Sequence, residues 1–371
     1  MTIEGCAAGI HRVDVASYDV PTDRPEADGT LQWDHTTVVV VHVEADGTRG
    51  LGFTYATGAV ATLVRDVLAG VVLGRDPMDV PGAWDAMVRA IRNQGRPGIT
   101  SMAIAAVDIA LWDLKAKLLD VALARLLGTV RDRVPIYGSG GFTSYSDGEL
   151  ESQLGRWVHE MGIPRVKMKI GTDRGTRAAR DLERVAVARK AVGEQAELFV
   201  DANGAYGRKQ AVRLASRFAD EGVTWFEEPV SSDDLDGLHE IRGLTPIDIA
   251  AGEYGYDLVY FQRMCAAGAV DVVQADVSRC AGITEWLRVA AVAQAHGLRL
   301  SGHCSPSLHL HPAAAVQNLE HVEYFHDHVR ADHLLFDGVC EPDGGALPVP
   351  LDRPGLGLVL KADDADRYRS G

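Results

Sequence analysis

A (β/α)-barrel of the TIM type, preceded by a smaller α+β capping domain, is the fold class this sequence predicts, and three observations predict it. From about Val134 onward, short apolar strands alternate with amphipathic helical stretches, which implies a parallel sheet. Eight such strands recur at intervals of roughly 20–35 residues, so closure into a barrel is the simplest arrangement, with an open doubly wound sheet as the alternative. The 128 residues that open the chain lack this alternation, and 371 residues exceed what one hydrophobic core usually organises.

In the capping domain (1–128), TTVVVVHVEADGTRGLGFTYA reads as a hairpin: a β-branched run at 36–43, an Asp-Gly turn at 46–47 and a second strand near 50–55. Helices follow at about 58–73, 82–93 and 101–119, the last marked by Ile104, Val107, Leu111 and Leu114 at three- and four-residue steps. The barrel (129–347) contains the strands VPIYGS, RVKMKIG, ELFVDAN, VTWFEEP, IDIAAGE, VDVVQAD, LRLSGH and HVEYF, with helices such as 174–193 and 207–221 between them. The segment 348–371 has strand-like and turn-like pieces and is expected to pack back on the cap.

Composition excludes several functions. Acidic residues outnumber Lys plus Arg by 52 to 37, and the net charge of −15 opposes a phosphate backbone or an anionic membrane surface. Cys6, Cys265, Cys280, Cys304 and Cys340 are widely spaced with no C-x-x-C pair, so reduced thiols and a cytoplasmic setting are expected. The opening MTIEGCAAGIHRVDV has no basic and apolar export signal, and no apolar run approaches the roughly 18 residues of a membrane helix. Neither nucleic acid nor membrane is an expected partner. A Gly-rich dinucleotide fingerprint is also missing, because YGSGGF (137–142) leads into a serine-rich stretch and not into a phosphate-cradling helix.

Polar residues stand at the C-terminal end of nearly every predicted barrel strand: Ser139, Lys167 and Lys169, Asp201 and Asn203, Glu227, Glu253, Asp276, His303 and Glu323. Barrels place their active sites at that end. Any one such carboxylate is ordinarily a helix cap or a solvated rim residue, but Asp201, Glu227 and Glu253 end successive strands 26 residues apart. Closure points three anions at one volume, which requires a cation, and oxygen-only ligation favours Mg²⁺ over zinc. Lys167 and Lys169 alternate with Met168 and so share one face; two adjacent ammonium groups close to a divalent cation are expected to disfavour each other's protonation and lower one pKa enough to make it a base. His303 and Asp276 end neighbouring strands, where a carboxylate on one imidazole nitrogen raises the basicity of the other. His309, His311, His326 and His328 invite a metal reading, but ordinary packing is expected of them because the carboxylates provide a better site.

The pieces VKMKIG (166–171), VDANGAY (200–206), WFEEPV (225–230), AGE (251–253), QADVSRCAGIT (274–284), SGH (301–303) and VDIALWDLKAK (107–117) resemble the enolase superfamily, specifically its mandelate racemase-like subgroup. That superfamily pairs a Lys or His base with Mg²⁺. The resemblance, over about residues 35–360, implies an enolase-like barrel and Asp201, Glu227 and Glu253 as Mg²⁺ ligands, with Glu228 supporting them. It implies Lys169 as one base tuned by Lys167, and His303 paired with Asp276 as the other. Glu323 matches an acid that hydrogen-bonds the substrate carboxylate, and Ser139 and Asn203 match polar contacts to substrate or metal. Cap loops around 17–34 and 53–57 would close the mouth, with Trp33 and Tyr55 as candidate walls. Because 17–34 (SYDVPTDRPEADGTLQWD) is polar, it suits a polyhydroxylated acid better than aromatic mandelate. The expected function is dehydration of an acid sugar, an aldonate or aldarate, to a 2-keto-3-deoxy acid by a homo-oligomeric enzyme. The alternatives are a racemase or epimerase using Lys169 and His303 on opposite faces, and a non-catalytic sugar-acid binder.

Overall fold

The computed structural model describes residues 9–370; Cys6 and the start of the segment read for export signals lie outside the described residues. Three antiparallel strands, β1 (Arg12–Ala27), β2 (Gln32–Ala45) and β3 (Thr48–Tyr55), form the cap sheet in that order. The predicted hairpin is β2–β3 with Asp46 and Gly47 at its turn, both at positive φ.

The stretch 17–34 corrects the expectation of a long lid loop. It is mostly strand, and only residues 28–31 form the tip between β1 and β2. Pro21 and Pro25 mask β1 in the sequence, yet an edge strand tolerates proline, and the register slips between Pro21 and Glu26 to accommodate them. The tip is latched to the barrel: Thr143 donates its amide to Ala27 O at 2.8 Å, and Arg174 donates its amide to Gly29 O at 2.9 Å.

Helix Ile99–Leu118 lies across β2 and β3 because Gly50 and Gly52 leave room for it. A Cβ on either glycine would stand 2.2 Å from a helix carbonyl, of Ala110 or Ala106. The polar residues of VDIALWDLKAK fasten this helix to the rest of the chain. Asp108 accepts from the Thr284 amide at 3.0 Å and hydroxyl at 2.6 Å, Trp112 donates to Thr284 Oγ1 at 2.9 Å, and Asp113 accepts from the Leu51 and Leu356 amides.

The barrel strands are β4 (Arg133–Gly140), β5 (Arg165–Lys169), β6 (Glu197–Asp201), β7 (Val223–Glu227), β8 (Asp248–Ala251), β9 (Val272–Ala275), β10 (Arg299–Gly302) and β11 (Leu319–Phe325). All are parallel to their neighbours, and β11 pairs with β4 through Phe325 and Ser139, so the eight strands close. Helices such as Ala178–Val192 and Arg208–Asp220 cover the outside. The C-terminal segment touches both parts: Ala346–Pro348 pairs antiparallel with β4, and Tyr18 pairs with Arg369. Among the described residues no helix is long and apolar enough to cross a membrane, and Cys265, Cys280, Cys304 and Cys340 are free thiols.

Candidate active site

Alternate residues of a barrel strand point to the axis. The first inward layer is an apolar floor of Tyr137, Phe199, Trp225, Ala250 and Val272, in which the Phe199 and Trp225 rings stack at 5.3 Å. Two residues further along stand the polar groups: Ser139 above Tyr137, Asp201 above Phe199, Glu227 above Trp225 and Glu323 above His321. Registers put Lys169 level with Asp201 and Asp201 level with Glu227. Asp276 and His303 follow directly on the ends of β9 and β10, and Glu253 follows the end of β8 after Gly252. Before Glu253 the chain turns at Gly252, φ 135°, where a Cβ would meet Gln274 O at 2.1 Å.

The arrangement is almost wholly buried and densely charged. Lys167 Nζ lies 2.5 Å from Glu227, 2.8 Å from Glu323 and 3.6 Å from Asp201, while Lys169 bonds to Asp201. On the far side, His303 Nδ1 is 2.9 Å from Asp276, and its Nε2 is 3.4 Å from Glu253 and 3.7 Å from Glu323. Asp276 is fixed in turn by the Ser278 amide and hydroxyl, both at 2.7 Å. Lys169 and His303 therefore bracket the carboxylate trio, one beside Asp201 and the other beside Glu253.

The carboxylates around the two lysines set their protonation. Burial, the largest effect, and Lys167 pull Lys169 down, but Asp201, Glu253 and Glu323 together hold it above the ordinary lysine value. Lys167 is likewise held well above that value against burial, by Glu227 and Glu323. Lys169 can take up a proton only once Asp201 has another counter-charge. Glu323 is ionised in this arrangement. Burial alone would raise it, but Lys167 and His303 drive it well below the usual carboxylate range. It accepts from Ser139 Oγ at 2.6 Å and from the Cys304 amide at 2.8 Å.

Asp201, Glu227 and Glu253 each offer an oxygen within 4.8 Å of the others, and Glu253 Oε2 is buried with no hydrogen-bond partner. Burial and the neighbouring Asp201 push Glu227 well above its ordinary value, and burial with Glu253 does the same to Glu228. Such crowding is costly without a cation, and an all-oxygen donor set suits Mg²⁺. The residues present fit that ion.

Above the trio opens a cavity of about 420 Å³. Its wall includes Lys169, Asn203, Glu253 and His303 together with Trp33 and Tyr55 of the cap. Ser139 is not on that wall; its hydroxyl is engaged by Glu323 beneath. Asn203 sits at φ 46° with its amide donating to Asp201 at 2.9 Å, and its buried Oδ1 has no partner. Trp33 donates to Glu26 at 3.1 Å, and Tyr55 donates to Asp332 at 2.5 Å while stacking on His328. Of the four C-terminal histidines, His309 and His311 are locked between backbone groups, His328 is a wall residue, and His326 stands beside Asp23 and Glu26. Sequence reasoning gave no role to Arg279, Cys304 or Asp327, which also line the cavity. Arg279 lies inside the quoted QADVSRCAGIT, and Cys304 directly follows SGH; Asp327 carries no local signal.

Residues 12–128 match the family model for the mandelate racemase / muconate lactonizing enzyme N-terminal domain, and residues 149–365 match the enolase C-terminal domain-like model. A crystal structure of a mandelate racemase/muconate lactonizing enzyme-like protein from Rubrobacter xylanophilus is 50% identical, covers 98% of this chain and 100% of its own, and superposes with a TM-score of 0.94. The 3,6-anhydro-alpha-L-galactonate cycloisomerase of Streptomyces coelicolor is 32% identical over 97% of this chain and 99% of its own. L-talarate/galactarate dehydratase from Salmonella typhimurium LT2, solved with Mg and L-lyxarohydroxamate, is 28% identical, covers 100% of this chain and 95% of its own, and has a TM-score of 0.92. The relatives are thus acid-sugar dehydratases and cycloisomerases, and solved neighbours hold magnesium.

Proposed function

The chain belongs to the mandelate racemase / muconate lactonizing enzyme family of the enolase superfamily, and from that membership we propose that it dehydrates an acid sugar, an aldonate or aldarate, to a 2-keto-3-deoxy acid. The observation that carries this reading is the bracketing of the carboxylate trio by two bases, Lys169 beside Asp201 and His303 at 3.4 Å from Glu253. A proton on the α-carbon of a bound acid is within reach of a base on either flank.

Asp201, Glu227 and Glu253 would hold Mg²⁺, whose charge acidifies the α-proton of a carboxylate bound against it. One base takes that proton and leaves an enediolate. Lys167, buried and fully protonated, offers the developing negative charge a fixed ammonium, and Glu323 positions Lys167 from the other side. Asp276 holds Nδ1 of His303, so Nε2 faces the cavity and, once protonated, donates to the β-hydroxyl as that group leaves as water. Trp33, Tyr55 and the 28–31 tip screen the reacting carbon from bulk solvent.

Without a β-leaving group the second base returns a proton from the other face, which is racemisation or epimerisation; where the leaving group stays tethered, the same first step serves cycloisomerisation. Incubation with Mg²⁺ and a library of mono- and diacid sugars, with detection of keto product, tests the proposal. Formation of a 2-keto-3-deoxy acid from at least one member is the expected result. A library in which no member forms a keto acid or exchanges its α-hydrogen would overturn it.

A further inference from the structure

We propose that the acid taken by this cavity carries one carboxylate only: an aldonate with a neutral polyhydroxyl tail, and not an aldarate. The inference rests on the proposed acid-sugar chemistry and concerns the end of the cavity farthest from the carboxylate trio. Among the described residues, the two Lys or Arg side chains on the cavity wall, Lys169 and Arg279, are both at the metal end, where Lys169 is bound to Asp201 and Arg279 lies 3.2 Å from Glu253 and 3.6 Å from Asp276. They serve the reacting carboxylate's end and leave no cation for a second one.

The opposite end is built from the cap tip, the start of β2 and the helix that follows β11, His326–Leu335. Its polar groups are Asp28, Thr36, Thr37 and Asp327. These are two hydroxyls and two carboxyls, with no guanidinium or ammonium among them. Thr36 donates to Asp327 Oδ2, while Asp327 Oδ1 is buried without a hydrogen-bond partner. A sugar hydroxyl can donate to that oxygen, whereas a carboxylate brought beside it would be repelled.

Behind the wall, Asp23 adds negative charge beside His326, while Glu26, its carboxyl pushed up to about 9 by burial together with Asp327 and Asp23, is protonated and adds none. Arg330 reaches Asp327 only at 4.0 Å and from outside the cavity, and Arg174 lines a neighbouring cavity beyond Asn203. His35, at the rim, has Nδ1 2.8 Å from Asp34. The Trp33 ring adds an apolar face of the kind that packs against sugar C–H groups.

The test compares kcat/KM, with Mg²⁺ present, for aldonates and for the aldarates that share their hydroxyl configuration. Aldonates should be preferred by at least ~100-fold, the size of effect that an unpaired like-charge contact in a partly desolvated site produces. Asp327→Asn should narrow that gap by improving the aldarate; Asp28→Asn gives the same comparison should Asp327→Asn not fold by circular dichroism. Equal or better turnover of the aldarates, or a gap untouched by both variants, would overturn the single-carboxylate assignment while leaving the dehydratase reading intact. No turnover and no α-hydrogen exchange with either class would remove that reading and this inference with it.

Discussion

Asp276 lies 2.9 Å from Nδ1 of His303, so the carboxylate ending one barrel strand fixes the imidazole that ends the next. Burial alone would raise Asp276, but its bond to His303, with Arg279 behind, holds it far below the usual carboxylate range. The pair is therefore an ionised acceptor beneath a ring whose Nε2 faces the cavity. Asp276→Asn keeps the shape and loses the charge, and kcat should fall by roughly 10²–10⁴-fold, as in other His-Asp pairs. Steady-state kinetics on a variant with an unchanged circular dichroism spectrum checks this; a fall of less than about threefold would free His303 of its dependence on Asp276.

Activity should vanish on chelation and return with Mg²⁺ or Mn²⁺, because Asp201, Glu227 and Glu253 provide oxygen donors that accept either ion. Asp201→Asn removes one of three charges and should weaken Mg²⁺ binding at least ~10-fold by calorimetry while the fold persists. Unchanged affinity would take Asp201 out of the ligand set.

Glu26 predicts a pH-dependent stability. Its carboxyl is held at about 9 by burial and by Asp327 and Asp23, against ~4.3 for an unfolded glutamate. Between those values the folded chain keeps a proton that the unfolded chain has released, so stability falls as pH rises through that window. Glu26→Gln should remove the loss: little change in Tm near pH 4, and a gain on the order of 2–4 °C by pH 9 for each kcal/mol recovered. Thermal denaturation of both proteins across pH 4–9 decides it, and a Tm difference that does not grow with pH would contradict the buried, protonated state.

Legibility of the sequence followed locality. The eight strands could be read because each is a short apolar run, and the inward residues because period-two alternation places Lys167 with Lys169 and puts Asp201, Glu227 and Glu253 at strand ends. β1 could not be read, since Pro21, Pro25 and a register slip erase its alternation and only pairing with β2 reveals it. The charge states of Lys169 and Glu323 depend on neighbours that local sequence does not bring together. Neighbours in sequence suggested that two lysines lower each other, whereas the packed site sets four carboxylates around them. The distal wall is least legible: Asp28 and Asp327, far apart in sequence, line one cavity with no motif between them.

The central claim is that Lys169 and His303 act on opposite flanks of one bound acid, and proton NMR of a confirmed substrate in D₂O with Mg²⁺ tests it most directly. With the α-proton on the lysine side, Lys169→Ala should lose both turnover and α-hydrogen exchange, while His303→Asn keeps exchange and loses water elimination. With the α-proton on the histidine side the two outcomes interchange, and in a racemase each variant exchanges one enantiomer alone. Full exchange and full turnover in both variants would contradict the two-base arrangement.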